Sequence, residues 1–217
     1  MTRVCIVCEG QTEVEFVKSC LAPYLLASHV RAFPSLLQSP SGSHRGGRVT
    51  VARLVKFISH QYHHTDRITT LVDFYGFQDR NGRSRAQLEA DIRAGIAAAT
   101  AGYDPRFVLP YVQMHEFEAL LFTDPEAFAW VEDGWNEHSR AALKRVRQAF
   151  ASPEDINDSP ETAPSKRILS IFEAGAYSKT EHGPLIAEMI GIDAMREHCP
   201  QFNAWLTQLQ AWGDRKS

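Results

Sequence analysis

The sequence predicts an α/β fold, a mainly parallel sheet flanked by helices and followed by a helical C-terminal extension. Three observations carry that prediction. Residues 4–8 (VCIVC) are apolar at consecutive positions, so both faces of the segment are buried, as in a central parallel strand. Short β-branched runs then alternate with helical patterns through the first half, giving a β-α-β-α-β-α-β order. Beyond residue 115 short helical segments dominate. This divides the chain into an α/β core over residues 1–125 and a helical extension over 126–217, packed on the core as one compact unit.

The first strand stops at Glu9-Gly10. Thr12 then offers a helix cap with Glu15 three residues later, and Val14, Phe16, Val17, Cys20 and Leu21 follow at helical spacing until Pro23 bends or ends the helix. A second strand is expected over 30–37, weakened by Pro34, before the Gly- and Ser-rich loop 39–47. Residues 49–62 read as a helix with Val51, Leu54, Val55, Ile58 and Tyr62 on one side, and His60, His63 and His64 near its end suit the helix dipole. The strand 68–74 carries Asp73 at its close. Ser84 caps an Ala-rich helix running to about residue 101, and 107–114 is a further strand. Helical segments are expected at 116–122, 125–130, 139–150, 166–172, 184–190 and 202–212, with 152–164 as a surface loop.

Composition narrows the function classes. With 23 Lys+Arg against 26 Asp+Glu the net charge is −3, which excludes a generally basic nucleic-acid coat but permits a local basic groove. At 44% hydrophobic and 23% charged residues the chain is an ordinary globular one rather than a disordered one. Its apolar runs are far shorter than the ~20 residues of a membrane span, and the N-terminus lacks the pattern of a secretory signal. Four cysteines in such a chain are expected to be reduced thiols in a cytoplasm. Cys5 and Cys8 form a CxxC, but within an apolar run and with no second pair, so they are expected to be buried and structural rather than zinc ligands. HEFEA at residues 115–119 is not HExxH, and no P-loop or dinucleotide glycine fingerprint is present.

The acids are placed more informatively than they are counted. In open parallel sheets ligands collect beyond the carboxyl ends of the strands. Glu9 follows the first strand with Glu13 one helical turn on, Asp73 closes a later strand, and Glu116 and Glu118 follow the strand ending at Met114. Carboxylates brought together repel unless protonated or bound to a cation, and hard oxygen ligands suit magnesium or manganese. Each acid also has an ordinary reading. Glu13 and Glu15 suit a first helical turn, and Asp79 suits the turn in which it stands. His115, beside Glu116, orients a ligand or fills a structural role.

The segment Glu9-Gly10-Gln11-Thr12-Glu13 resembles the EGxTE opening of Toprim and Toprim-like domains. With Leu71-Val72-Asp73-Phe74-Tyr75-Gly76, the HEFEALLF stretch from His115, Pro164-Ser165-Lys166-Arg167, His182-Gly183-Pro184 and Cys199-Pro200-Gln201-Phe202, the chain resembles a bacterial family of uncharacterised Toprim-like proteins of the DUF4276 type. The resemblance implies a Toprim-like, Rossmann-like fold. By relation to nucleases such as the overcoming-lysogenization-defect proteins, it also implies metal-dependent cleavage of phosphodiesters in DNA or RNA. It further implies an anti-phage or mobile-element setting and a partner ATPase encoded nearby. One departure stands out: Toprim nucleases carry DxD, whereas Asp73 is followed by Phe74-Tyr75, leaving Asp79 or Glu116 to supply the missing ligand.

On that footing the expected metal ligands for Mg²⁺ or Mn²⁺ are Glu9, Glu13, Asp73 and Glu116, and the expected catalytic residues are Glu9, Asp73 and Lys166. The ordinary reading of Lys166 is that Ser165 caps a helix and leaves both bases exposed. Arg45 and Arg48, beside the Gly-rich loop, and Arg80 and Arg83, after Asp73, are the expected nucleic-acid contacts, while Lys144, Arg145 and Arg147 read as a solvated helix face. The competing reading is a catalytically inactive interaction module that keeps the fold and binds the ATPase.

Overall fold

The apolar N-terminal run forms β1 (Thr2–Cys8) at the centre of the sheet in the computed structural model, which describes residues 1–37, 49–114, 116–156 and 162–214. Side chains alternate across a strand, so Val4, Ile6 and Cys8 enter one apolar core while Cys5 and Val7 enter another on the opposite face. The same alternation turns the two sulfurs of the CxxC to different sides of the sheet, and all four cysteines are buried and unpaired. Burial pushes the Cys5 thiol up to about 11, so it is an inert apolar side chain.

The chain leaves β1 into α1 (Gln11–Phe16), and here the expected cap is corrected. Gly10, not Thr12, precedes the helix, because the Glu13 carboxylate reaches back to accept the Gly10 N–H at 2.9 Å; Thr12 is buried in the first turn. Nor does Pro23 end the helix. A single π-helical turn, Val17–Leu21, precedes α2 (Ala22–Leu26), with Ala22 N–H donating to the Val17 carbonyl. Pro23 then falls in the first turn of α2, where a missing N–H costs little.

Strand β2 (Val30–Leu36) pairs parallel with β1 on one side, and β3 (Arg67–Asp73) pairs parallel with it on the other. Pro34 is tolerated because β2 is an edge strand. Between them lies α3 (Val51–Gln61), begun by Thr50, whose hydroxyl accepts the Arg53 N–H. Ser84 caps α4 (Arg85–Ala99) in a capping box with Gln87. The single strand expected over 107–114 is split into β4 (Val108–Leu109) and β5 (Val112–Gln113), both parallel to β3, because Pro110 interrupts the ladder. Thr70 bridges the gap, its hydroxyl accepting the Tyr111 N–H at 2.8 Å and donating to the Tyr111 carbonyl at 2.7 Å.

Helices α3 and α4 cover one face of the sheet through Leu54, Ile58, Leu88, Ile92 and Ile96. The rest of the chain covers the other, through α5 (Glu118–Leu121), α6 (Glu137–Gln148), α7 (Pro164–Ile171), α8 (Lys179–Ile190), α9 (Ile192–His198) and α10 (Pro200–Asp214). That second core runs from Val4 to Trp212 and joins the N-terminal strands to the C-terminal helices. Trp205 of α10 stacks on Tyr111 with centroids 4.6 Å apart and donates its indole N–H to Thr69 at 2.8 Å, so its polar tip is satisfied at full burial.

The stretch expected to be a plain surface loop is partly a built element. Pro153–Asp155 forms a 3₁₀ turn that buries Glu154, whose two carboxylate oxygens accept the Gln201 and Phe202 N–H groups at 2.9 Å each and so cap α10. Among the described residues no helix is long and apolar enough to cross a membrane.

Candidate functional site

Parallel pairing brings the carboxyl ends of β1, β3 and β5 to one edge of the sheet, and the acids gather there. Glu9, one residue past β1, accepts the backbone N–H of Asp73 through Oε2 at 3.2 Å, a contact between residues 64 apart in sequence. Gly76 leaves room for it, since a Cβ at that position would lie 2.5 Å from Glu9 Oε2. Glu13, nearly fully buried, holds the Gly10 N–H. Glu116 Oε2 accepts the Ser165 N–H at the start of α7 at 2.8 Å, while its carbonyl accepts the Gln113 side-chain N–H at 2.9 Å. Glu118 is buried at the start of α5 and pairs with Lys179 of α8 at 3.2 Å.

These side chains feel one another. The Asp73 carboxyl is raised well above the usual range, first by burial and then by Glu13, Glu9, Glu118 and Glu116. Burial is also the main cause that lifts Glu9 to about 7; the Asp73 N–H and Arg53 oppose it, and Glu13 and Glu116 add to it. Glu13 and Glu118 are raised by burial against the pull of Lys179. Burial disfavours the Lys179 charge, but Glu118 and Glu116 outweigh it and hold the ammonium above its usual range. The Tyr177 hydroxyl, buried without a hydrogen-bond partner among the described residues, is raised by burial and by the same two glutamates.

The expected ligands Glu9, Glu13, Asp73 and Glu116 therefore belong to one electrostatic cluster. Their oxygens are the hard donors that magnesium and manganese take. Glu9, Glu13 and Glu116 each spend an oxygen on a backbone N–H, and among the described residues no three His, Cys, Asp or Glu side chains form a group able to hold a metal ion.

The other expected residues are distributed differently. Lys166 is exposed on α7, next to the Ser165 whose N–H Glu116 takes; Ser165 itself is buried and makes no side-chain cap, since the helix begins at Pro164. Arg80 lies over the rings of Phe74 and Tyr75, at 4.8 and 4.7 Å, directly beyond Asp73. Arg83 is tied to Asp91 at 2.6 Å and to Asp79. Asp79 accepts the Val51 N–H at 3.2 Å, so it fixes the start of α3. Arg45, Arg48 and His115 lie outside the described residues.

Sequence reasoning missed Lys179 altogether. It stands in no motif with the acids and reaches them only because α8 packs against α1 and α5. The local signal nearest to it is Ser178, the residue just before α8.

Residues 8–210 match the family described as a domain of unknown function, DUF4276. The chain belongs to that family. No curated protein matches it. Among solved structures, the DUF4276 chain is similar to the C-terminal region of the Xanthomonas campestris pv. campestris OLD protein. The iodine-phased structure is 15% identical, with 99% of this chain and 97% of that one covered and a TM-score of 0.50. The mercury-phased structure is 13% identical over 99% and 97%, with a TM-score of 0.51. The likeness is one of fold. The DUF4276 match itself begins one residue before Glu9 and ends within α10, so it takes in every carboxylate of the cluster and Lys179.

Proposed function

We propose that this DUF4276 protein is a divalent-metal-dependent nuclease, or a nuclease-like effector subunit, that cleaves phosphodiester bonds at the carboxylate cluster. The observation that carries the reading is that the carboxylates following three parallel strands, Glu9, Asp73 and Glu116 with Glu118, gather at one edge of the sheet, where Glu9 accepts the Asp73 N–H. The fold shared with the OLD C-terminal region supports it. When bound, Mg²⁺ or Mn²⁺ would activate water and offset charge on the departing oxygen.

The chain's own residues do the rest. Glu9, Glu13, Asp73 and Glu116 would hold the cation, Glu9, Glu13 and Glu116 through the oxygen not engaged by a backbone N–H. Glu9, whose Oε2 accepts the Asp73 N–H, ties the end of the first strand to the end of the third at the proposed cation. Lys179, already among the acids, offsets the phosphate charge from inside, and Lys166 takes an outer phosphate contact. Arg80, held over Phe74 and Tyr75, gives the nucleic acid a cation at the mouth of the site. An anti-phage or mobile-element setting and a partner ATPase complete the proposal.

Purified protein incubated with DNA and RNA in Mg²⁺ or Mn²⁺ is expected to cut at least one of them. Glu9→Gln and Asp73→Asn should each lower the rate by roughly 100-fold or more. Cleavage unchanged by both substitutions would remove the assigned site. A second reading has its own observation, that three of the acids already serve backbone N–H groups. If calorimetry detects no Mn²⁺ binding and a partner ATPase binds stably, the chain is an interaction module.

A further inference from the structure

We propose that Gln113 supplies a neutral amide oxygen to the cation at Glu9 and Asp73, filling from the neighbouring strand the place left by the absent second aspartate after Asp73. The inference rests on the metal-dependent reading above and names a donor that the acids alone do not include.

Three observations lead to it. Strand β5 runs parallel to β3 in the register Val72↔Val112 and Asp73↔Gln113. Val72 and Val112 both enter the core under α3 and α4, so Asp73 and Gln113 stand side by side on the opposite face. Gln113 is only 2% exposed, and its Nε2 donates to the Glu116 carbonyl at 2.9 Å, which fixes which end of the amide is oxygen. Its Oε1 is buried and has no hydrogen-bond partner among the described residues.

An amide oxygen buried without a donor is costly, and native structures rarely keep one without a use. The groups around Asp73 are Glu9, Glu13, Glu116 and Glu118, with Lys179 held by Glu118 at 3.2 Å, and carboxylates ionised to hold a cation accept hydrogen bonds but do not donate them. A cation is the partner that suits an amide oxygen standing beside carboxylates, and carbonyl oxygens of Asn and Gln are ordinary ligands of hard cations. The charge argument points the same way. Another carboxylate would add to a crowded negative cluster, whereas Gln113 adds a donor atom and no charge.

Mn²⁺ binding measured by calorimetry separates this role from a purely structural one, since the two ends of the amide do different work. Gln113→Met removes Oε1 and Nε2 together, whereas Gln113→Glu keeps an oxygen in place, removes the N–H donor and adds a charge. The expectation is that Met weakens Mn²⁺ binding by about tenfold or more while Glu keeps it within a few-fold of wild type. Equal binding by all three proteins overturns the inference. So does an equal loss in both variants, which would assign the effect to the Nε2 contact with Glu116. Should Gln113→Met fail to fold, the wild-type side-chain amide signal of Gln113 decides the matter: selective broadening by substoichiometric Mn²⁺ supports the ligand role, and its absence when other signals of the site broaden overturns it. Asp73→Asn is measured alongside. If wild type binds no Mn²⁺, or if Asp73→Asn binds as well as wild type, the metal-dependent reading itself falls, and Gln113 falls with it.

Discussion

Glu9 shows how strongly one position can depend on its neighbours. In an unfolded chain its carboxyl would titrate at 4.5, and in the fold it titrates at about 7, with burial as the leading cause. Between those values the folded protein binds more protons than the unfolded one, so stability falls as pH rises from about 4.5 to about 7 and levels off above. Asp73, Glu13 and Glu118, all raised, act in the same direction. Metal-free thermal melts are therefore expected to give a lower Tm at pH 8 than at pH 5, with a shallower difference in Glu9→Gln. Mn²⁺ should raise Tm more at pH 8, where the acids it would neutralise are ionised. A metal-free Tm that rises with pH across this range would contradict the assignment. Glu9 and Asp73 are legible as candidate-site residues because apolar runs end on them. Lys179 and Gln113 are not. A lysine two residues beyond Tyr177 and a glutamine closing a strand carry no local mark, and only the packing of α8 and the pairing of β5 with β3 bring them to the acids.

At the scale of elements, helix ends decided which expectations held. Ser84 caps its helix as expected, and the structure adds a reciprocal contact from Gln87 that completes a capping box. Thr12 had the same local credentials and lost to Gly10, because the competing acceptor, Glu13, reaches the N–H one turn earlier. The strand over 107–114 was misjudged for a different reason, since β-branched and apolar residues on both sides of Pro110 masked the break it causes. Glu154 was the least visible of these devices, a buried acid in a proline-bearing stretch that caps a helix beginning 46 residues later. Glu154→Ala leaves the Gln201 and Phe202 N–H groups without it and is expected to cost about 1–2 kcal/mol in urea unfolding. Glu154→Gln, which keeps one acceptor oxygen, should lose less.

At the scale of the whole molecule, one apolar core includes Val4 and Ile6 of the sheet together with Phe128, Ile186 and Trp205 from beyond residue 125. Cutting the chain there would strip one face of the sheet of its cover, with each large apolar side chain so exposed costing about 1.5–3 kcal/mol. A fragment of residues 1–125 is accordingly expected to show no cooperative thermal transition by circular dichroism and to bind a dye for exposed apolar surface. A sharp transition would show instead that the α/β part folds alone.

The two prolines in the sheet sit on its two opposite margins, Pro34 within β2 and Pro110 between β4 and β5. Each interrupts the row of N–H donors by which a strand from another molecule would lengthen the sheet, and the outer segments on the Pro110 side are only two residues long. Growth of the sheet from chain to chain, the route to edge-to-edge aggregates, is thereby discouraged on both sides. A protein partner is left to dock on the helical surfaces or at the carboxyl edge where the acids lie.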